Sequence, residues 1–198
     1  MSNIYIVRHG QVENPENIIY GSLPFPLSKK GKEAARKAGE YLKNKNIGFI
    51  ISSPIKRTME TAQIINQEIS GGALEIKADE RLREIEWGKI FQGEKEKDLE
   101  KKYPKEWEEY KKHPSKFQFG ENLNDLVQRM SAVLKSAIKD YPDKNILLVS
   151  QRAPISCLVL NLQNKDLDCM HGVEGENGSI WELEYSDGQF KVNGYWQS

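Results

Sequence analysis

The chain has 198 residues, of which 29 are basic and 29 acidic, so its formal net charge at pH 7 is zero. This length suits one substantial domain, which we expect to span residues 1–198, and the balanced charge argues against a nucleic-acid partner. We expect no signal peptide, and no apolar run approaches the ~18 residues that a membrane span requires. The two cysteines are too few for a disulfide framework, so the sequence predicts a cytoplasmic protein with no membrane partner.

Strands and helices are predicted to alternate from the N-terminus. Short apolar runs bounded by turn residues predict strands, and apolar residues that recur every three or four positions predict helices. Ser53 is expected to cap one helix with Pro54 at its first position, where the missing N–H costs little. In chain order, the prediction is a strand at 3–7, a loop at 10–27, a helix from 28 to about 45, a strand at 48–52, a helix opening at 53–54, a weak strand at 74–78, a helix over about 122–141, a strand at 146–150, a helix from near 153, and a hairpin of strands at 179–185 and 189–196.

The segment at about 88–121 is dense in Lys, Glu, Tyr and Trp. We expect it to form short, solvated helices, interrupted at Pro104 and Pro114, as an insertion into the domain. The alternation of strands and helices predicts an α/β fold, a three-layer αβα sandwich with a mostly parallel central sheet. Such sheets bind ligands at the carboxyl ends of their strands, so the residues that follow each strand are the candidate site.

Arginines, a histidine and carboxylates follow the predicted strands. Arginine's planar fork matches phosphate oxygens in pairs, and a neutral histidine offers a nitrogen as base or nucleophile. Gathered at one sheet edge, this set predicts a phosphate site. Its members are Arg8, His9 and Gly10 after the first strand, Arg57 one turn beyond the second, Glu84 or Glu86 in the chain near 82–88, and Gln151 and Arg152 after the strand at 146–150.

The sequence also carries an ordered set of motifs. "IVRHGQ" comes first, "LSKKGKEAA" and "ISSPIKRTMETA" follow, and then come "LREIEWG", "GEN" at 120–122 and "ILLVSQRAPI". Any one of these is weak alone. In this order, across about residues 3–160, they resemble the signature of the histidine phosphatase superfamily, whose fold is phosphoglycerate-mutase-like.

The resemblance implies a role for each matching residue. His9 would be the nucleophile that attacks phosphorus through a ring nitrogen, forming a phosphohistidine. Arg8 and Arg57 would clamp the phosphoryl oxygens. Glu84, preferred to Glu86 by its spacing to the following glycine, would protonate the leaving oxygen and later activate water. The chemistry implied needs no metal and no organic cofactor, because positioning and electrostatics supply most of the catalysis of phosphoryl transfer.

One position departs from the family's pattern. The family has a second catalytic histidine after Val-Ser, where this chain has Gln151. A glutamine amide can donate a hydrogen bond to a phosphoryl group but cannot carry positive charge. Losing one donor of this kind typically costs about 10²–10³ in rate. We therefore expect reduced turnover, whether Gln151 is natural or engineered, and Arg152 is a candidate compensating donor.

Residues in the loop at 10–27 and in the C-terminal part of the chain are also considered as ligand contacts. Asn14 and the Tyr20-Gly21 backbone are expected to contact phosphate or substrate. His171 follows Cys169 by two residues, but two ligands make a poor zinc site, so we expect no metal.

The combined expectation is a phosphatase that hydrolyses a small phosphate monoester and releases inorganic phosphate. Three alternatives stay open. A phosphoglycerate mutase would return the phosphoryl group to its substrate, although family mutases tend to be longer chains. A phospho-ligand-binding protein with negligible turnover would follow if Gln151 silences the site. A scaffold would depend on the Lys/Glu-rich segment instead. The physiological substrate and the oligomeric state are not predicted.

Overall fold

A computed structural model of the protein describes residues 2–118 and 120–197, except for the side chain of Lys89. The strands are β1 (Ser2–Arg8), β2 (Ile47–Ser52), β3 (Ile76–Ala78), β4 (Asn145–Ser150), β5 (Ile180–Ser186) and β6 (Gln189–Trp196). The helices are α1 (Lys29–Leu42), α2 (Lys56–Ser70), α3 (Gly88–Phe91), α4 (Glu96–Lys102), α5 (Pro104–Lys112), α6 (Leu123–Asp140) and α7 (Arg152–Leu162), with short 3-10 turns at Glu80–Leu82 and Leu167–Gly172.

The six strands form one sheet in the order β3-β2-β4-β1-β5-β6. The pairs β2/β3, β2/β4 and β1/β4 are parallel, whereas β5 and β6 add an antiparallel edge beside β1. The predicted α/β architecture with a mostly parallel sheet is therefore confirmed.

Helices cover both faces of this sheet because successive side chains of a strand point to opposite faces. On one face, Ile4 and Ile6 of β1 pack in an apolar cluster with residues of α6 and α7. On the other face, Tyr5 and Val7 of β1 pack with residues of α1 and α2. Burial on both faces explains why the central strands are continuous apolar runs rather than alternating ones.

The parallel register brings three strand ends together. Arg8 of β1 pairs with Ser150 of β4, and Ser52 of β2 pairs with Val149. The ladder continues one step beyond: the His9 N–H donates to Ser150 O at 3.1 Å, and the Ser53 N–H donates to Val149 O at 2.9 Å. The residues that follow β1, β2 and β4 consequently meet at one sheet edge.

Two helix boundaries differ from the prediction. The helix expected to open at Ser53-Pro54 begins at Lys56, with Ile55 as its N-cap. Ser53 lies two residues before this N-cap, and its hydroxyl accepts a hydrogen bond from the Gln151 amide instead. Helix α1 ends at Leu42 rather than near Lys45, since the N–H groups of Lys43 and Lys45 donate three residues back, to Glu40 O and Leu42 O. Asn46 then takes a left-handed backbone conformation, φ 49°, just before β2.

The segment at 88–121 contains three short helices, and Pro104 opens α5 at its first turn. Beneath their charged outer face lies a largely aromatic cluster. Its buried members are Phe91, Leu99, Trp107, Tyr110 and Phe117. That this segment is an insertion within a single domain stays a prediction.

Candidate active site

His9 lies at the carboxyl end of β1 and is 1% exposed. Its Nδ1 is 2.7 Å from Gly10 O, and its Nε2 is 3.1 Å from Arg57 Nε. A guanidinium can only donate, so Nε2 accepts and Nδ1 carries the proton that it donates to the carbonyl. Burial and the neighbouring Arg57 and Arg8 hold the pKa of His9 well below 6.5. His9 is thus a neutral imidazole with its lone pair on Nε2.

Gly10 follows His9 because no side chain fits there. A Cβ on Gly10 would lie 2.2 Å from the carbonyl oxygen of Gly31 in α1. The Gly10 N–H donates to Thr61 Oγ1 of α2 at 3.1 Å, and Asn177 Nδ2 donates to His9 O at 2.9 Å. The backbone around His9 is therefore fixed from both helices and from the loop before β5.

Arg57, on the first turn of α2, is fully buried beside His9. Besides His9, it donates to Gly21 O at 2.6 Å and to Leu23 O at 3.3 Å. The Tyr20 ring lies over the guanidinium, with 4.8 Å between Cζ and the ring centroid. Burial lowers the pKa of Arg57, although an arginine this basic keeps its charge at neutral pH. The loop at 20–23 therefore holds Arg57 against His9.

Arg8 brings a second guanidinium to the same place. Its Nη1 donates to Gly175 O, whereas its buried Nε has no hydrogen-bond partner among the described residues. A buried N–H without a partner is unfavourable, and in a site of this kind it is a donor suited to an anionic oxygen. Burial lowers the pKa of Arg8 as well, and the nearby Glu84 opposes that change.

Glu84 follows the 3-10 turn at Glu80–Leu82 and is partly buried. Burial raises its pKa above the ordinary 4.5, while Arg57, the Ile85 N–H and Arg8 pull it down. The Ile85 N–H donates to its Oε1 at 3.0 Å. Glu86 is exposed instead. Of the two carboxylates considered in the sequence, Glu84 is the one beside both arginines.

A salt bridge that sequence reasoning missed fixes the segment that carries Glu84. Arg129 of α6 contacts Glu121 with two hydrogen bonds of 2.8 and 2.9 Å, and each side chain is 18% exposed. Arg129 also donates to Arg81 O at 2.6 Å and to Glu84 O at 3.4 Å. The Glu86 N–H donates to Glu121 at 3.3 Å. The "GEN" motif indicated where α6 begins. Nothing in the sequence around it indicates that Glu121 pairs with Arg129, eight residues later.

Gln151 is fully buried at the end of β4. Its Nε2 donates to Ser53 Oγ at 3.0 Å, and Ser150 Oγ is 3.3 Å from its Oε1 and 2.8 Å from Leu82 O. A network of neutral groups thus holds the amide at the sheet edge. A primary amide has two N–H donors, and among the described residues only one of them is engaged.

The expected substrate-binding residues line a cavity of about 430 Å³. Asn14 holds its own loop, donating to Ile18 O at 2.8 Å and accepting from the Ile18 N–H at 3.2 Å. Gly21 has a positive φ of 42° and presents its carbonyl to Arg57. Arg152 Nη2 lies 3.3 Å from His171 O. Asn14 and Arg152 are therefore both tethered to loop backbone.

Arg8 and Glu84 line this cavity together with several aromatic residues. His9 is 1% exposed and is not in the lining, and the Tyr20 ring stands edge-on to it with 6.2 Å between ring centroids. A second cavity of about 640 Å³ shares Glu84 and Trp87 with the first but lacks Arg8, and acidic side chains outnumber the arginines in its lining. The cavity beside Arg8 is the one suited to an anion.

Two further features concern metals and membranes. Within 2–118 and 120–197, no group of three histidine, cysteine or acidic side chains is arranged to hold a metal ion. No helix in the described part of the chain is long and apolar enough to cross a bilayer. His113, on the surface, is 3.2 Å from Asp168 rather than near the site.

The chain belongs to the histidine phosphatase superfamily, branch 1, whose family model matches residues 4–197. Among its relatives, a probable phosphoglycerate mutase, GpmB of Salmonella arizonae, is 30% identical over 202 residues, covering 98% of this chain and 90% of the relative.

Solved structures of related proteins resemble this chain in fold. Bacillus stearothermophilus YhfR superposes with a TM-score of 0.89 at 25% identity, covering 97% of this chain and 95% of that one. A phosphoserine phosphatase from Entamoeba histolytica, in complex with 3-phosphoglyceric acid, has a TM-score of 0.84 at 23% identity, with 100% and 98% covered. The predicted family resemblance is therefore confirmed.

Proposed function

We propose that the protein is a phosphatase that hydrolyses small phosphate monoesters through a phosphohistidine at Nε2 of His9. The observation that carries the proposal is the neutral His9, whose Nε2 lone pair faces Arg57. Family membership supports phosphoryl transfer as the reaction class. The ligands proposed are a small phosphorylated substrate and inorganic phosphate, with no metal or organic cofactor.

In the first step, the Nε2 lone pair attacks phosphorus while the bond from phosphorus to the ester oxygen breaks. Arg57 gives up its hydrogen bond to His9 Nε2 and donates to a phosphoryl oxygen instead. Arg8 Nε supplies a second donor to the phosphoryl group. Glu84, whose pKa is raised by burial, gives its proton to the departing oxygen. The Nδ1–H bond to Gly10 O keeps the imidazole oriented throughout.

In the second step, the Glu84 carboxylate takes a proton from water as the water oxygen attacks phosphorus. The bond between phosphorus and Nε2 breaks, inorganic phosphate leaves, and both residues return to their starting protonation states. The second N–H of Gln151 is the proposed neutral donor in place of the family's histidine. Being neutral, it stabilises the charge of the transition state less than a cation would, so turnover is expected to be reduced.

The test is phosphate release from an aryl phosphate between about pH 5 and 8, together with trapping of an acid-labile phosphoryl group on the protein. Turnover and trapping in the unmodified chain, both lost in His9→Ala, would support the proposal. Turnover that survives in His9→Ala would contradict it, because no other residue is proposed to carry the phosphoryl group.

Two other functions have specific support. The relative named as a probable phosphoglycerate mutase favours a mutase, which would form 2-phosphoglycerate from 3-phosphoglycerate without free phosphate. The buried neutral amide of Gln151 favours a phospho-ligand-binding protein, which would bind phosphate tightly and hydrolyse nothing even at high protein concentration. The aryl phosphate assay, run beside an assay for 2-phosphoglycerate formed from 3-phosphoglycerate and a phosphate-binding measurement, separates all three.

A further inference from the structure

We propose that Thr61 is a positioning residue for His9. It holds the Gly10 backbone so that the imidazole proton stays on Nδ1 while Nε2 attacks phosphorus. This inference rests on the proposed function, since it concerns the same nucleophile. Thr61 lies in the motif "ISSPIKRTMETA", four residues after Arg57, which places both side chains on one face of α2. The Thr61 side chain is fully buried.

Four hydrogen bonds form a closed ring that joins Thr61 to His9 and Arg57. Arg57 Nε donates to His9 Nε2 at 3.1 Å, and His9 Nδ1 donates to Gly10 O at 2.7 Å. The Gly10 N–H donates to Thr61 Oγ1 at 3.1 Å, and the Thr61 hydroxyl donates to Arg57 O at 2.7 Å. Thr61 is absent from the lining of the cavity beside Arg8, so it acts through Gly10 rather than by contact with the substrate.

The direction of the bonds at Thr61 follows from its chemistry. A carbonyl can only accept, so the single hydroxyl hydrogen is committed to Arg57 O, and Oγ1 faces Gly10 as an acceptor. A threonine that bonds the carbonyl four residues back is common in helices. Here the same oxygen also accepts a buried N–H from the end of β1, 51 residues away. Valine has the shape of threonine but makes neither bond, whereas serine can make both.

The peptide group between His9 and Gly10 is held at both ends. Its N–H donates to Thr61, and its C=O accepts from Asn177 Nδ2 at 2.9 Å. The next carbonyl along the chain, Gly10 O, is the one that holds His9 Nδ1. Glycine has the widest backbone freedom of any residue, so the position of Gly10 O depends on these restraints. Losing the Thr61 bond should therefore loosen the hold on Nδ1.

This restraint matters most during the first chemical step. Before substrate binds, Arg57 also keeps Nε2 free of a proton, because its Nε–H donates to that nitrogen. In the proposed mechanism Arg57 gives up this bond and donates to a phosphoryl oxygen. Gly10 O is then the group that keeps the proton on Nδ1, and a ring protonated at Nε2 cannot attack. Thr61 should consequently affect kcat more than KM, since Arg8 and Arg57 still bind the phosphoryl group.

The experiment compares kcat and KM for an aryl phosphate in Thr61→Val and Thr61→Ser. We expect Thr61→Val to lower kcat by about 10-fold with little change in KM, because a small displacement of a reacting group is costly, and Thr61→Ser to restore kcat. Thr58→Val is the matched control. Thr58 is also fully buried on α2, and its hydroxyl bonds Ser53 O at 2.8 Å and Ile55 O at 2.6 Å rather than Gly10. An equal fall of kcat in both valine variants, or no fall in Thr61→Val, would overturn the inference.

A measurement without substrate separates this inference from the proposed function. Nitrogen NMR follows the exchange of the His9 Nδ1 proton with water, and His9→Ala assigns the signal among the three histidines of the chain. Exchange should be about 5–10-fold faster in Thr61→Val than in the unmodified chain, Thr61→Ser or Thr58→Val, which corresponds to one lost hydrogen bond. If no ester is hydrolysed but exchange responds in this way, the positioning role stands and the phosphatase proposal fails. If esters are hydrolysed but Thr61→Val changes neither exchange nor kcat, the positioning role is wrong and the phosphatase proposal stands.

Discussion

The Glu121–Arg129 pair should couple stability to catalysis, and Arg129→Met tests this. The substitution keeps the apolar stem of the side chain but removes two hydrogen bonds to Glu121 and those to Arg81 O and Glu84 O. It leaves a carboxylate that is 18% exposed without its cation. Breaking one partner of such a pair costs about 3 kcal/mol at the lower end of the range for buried pairs.

That loss corresponds to a fall of about 1.5 M in the urea midpoint if m is about 2 kcal/mol/M. The double variant Glu121→Leu, Arg129→Met should recover part of it, because no unpaired carboxylate remains. Arg36→Met is the surface control. It breaks the exposed pair with Glu33, in which the side chains are 51% and 58% exposed, and should barely move the midpoint.

Arg129→Met should also change catalysis, because Arg129 both holds the segment that carries Glu84 and places a positive charge near that carboxyl group. Arg129 lowers the pKa of Glu84, so its removal should raise that pKa and move the alkaline limb of the pH–rate profile upward. A less firmly held Glu84 should also lower kcat more than it changes KM. The reasoning is refuted if Arg129→Met keeps the urea midpoint, the kcat and the alkaline limb of the unmodified chain.

Four further outcomes are expected. Gln151→His should raise activity, measured as kcat/KM, and more so toward acid pH, because a protonated imidazole adds the positive charge that the amide lacks. Activity should require neutral His9 and protonated Glu84, and so fall below the depressed pKa of His9 and above the raised pKa of Glu84. The buried neutral His9 should also make the fold lose stability as pH falls through about 6.5, where the unfolded chain gains the proton, and His9→Asn should reduce that loss in urea titrations. Gly10→Ala should destabilise the fold by a few kcal/mol, because its Cβ would meet backbone at 2.2 Å, whereas Gly172→Ala, with open space around it, should be close to neutral in thermal denaturation.

Much of the fold followed from local patterns in the sequence. Apolar runs gave the central strands to within a residue or two, and the three-to-four periodicity gave α6 nearly in full. Parallel strands end at a common edge, so His9 and Gln151 could be placed near each other before any coordinates were known. The family motifs then supplied candidate roles for Arg57 and Glu84, and these roles stay predictions.

The tertiary structure decided what depends on side chains brought together from distant parts of the chain. The proton position on His9 depends on Arg57, 48 residues later, and the Ser53 hydroxyl is paired with Gln151, 98 residues later. The Glu121–Arg129 contact with the Glu84 segment has no periodicity that a sequence could reveal. Local patterns report which face of an element is buried, whereas hydrogen-bond partners depend on packing between elements, and that packing exists only in the folded chain.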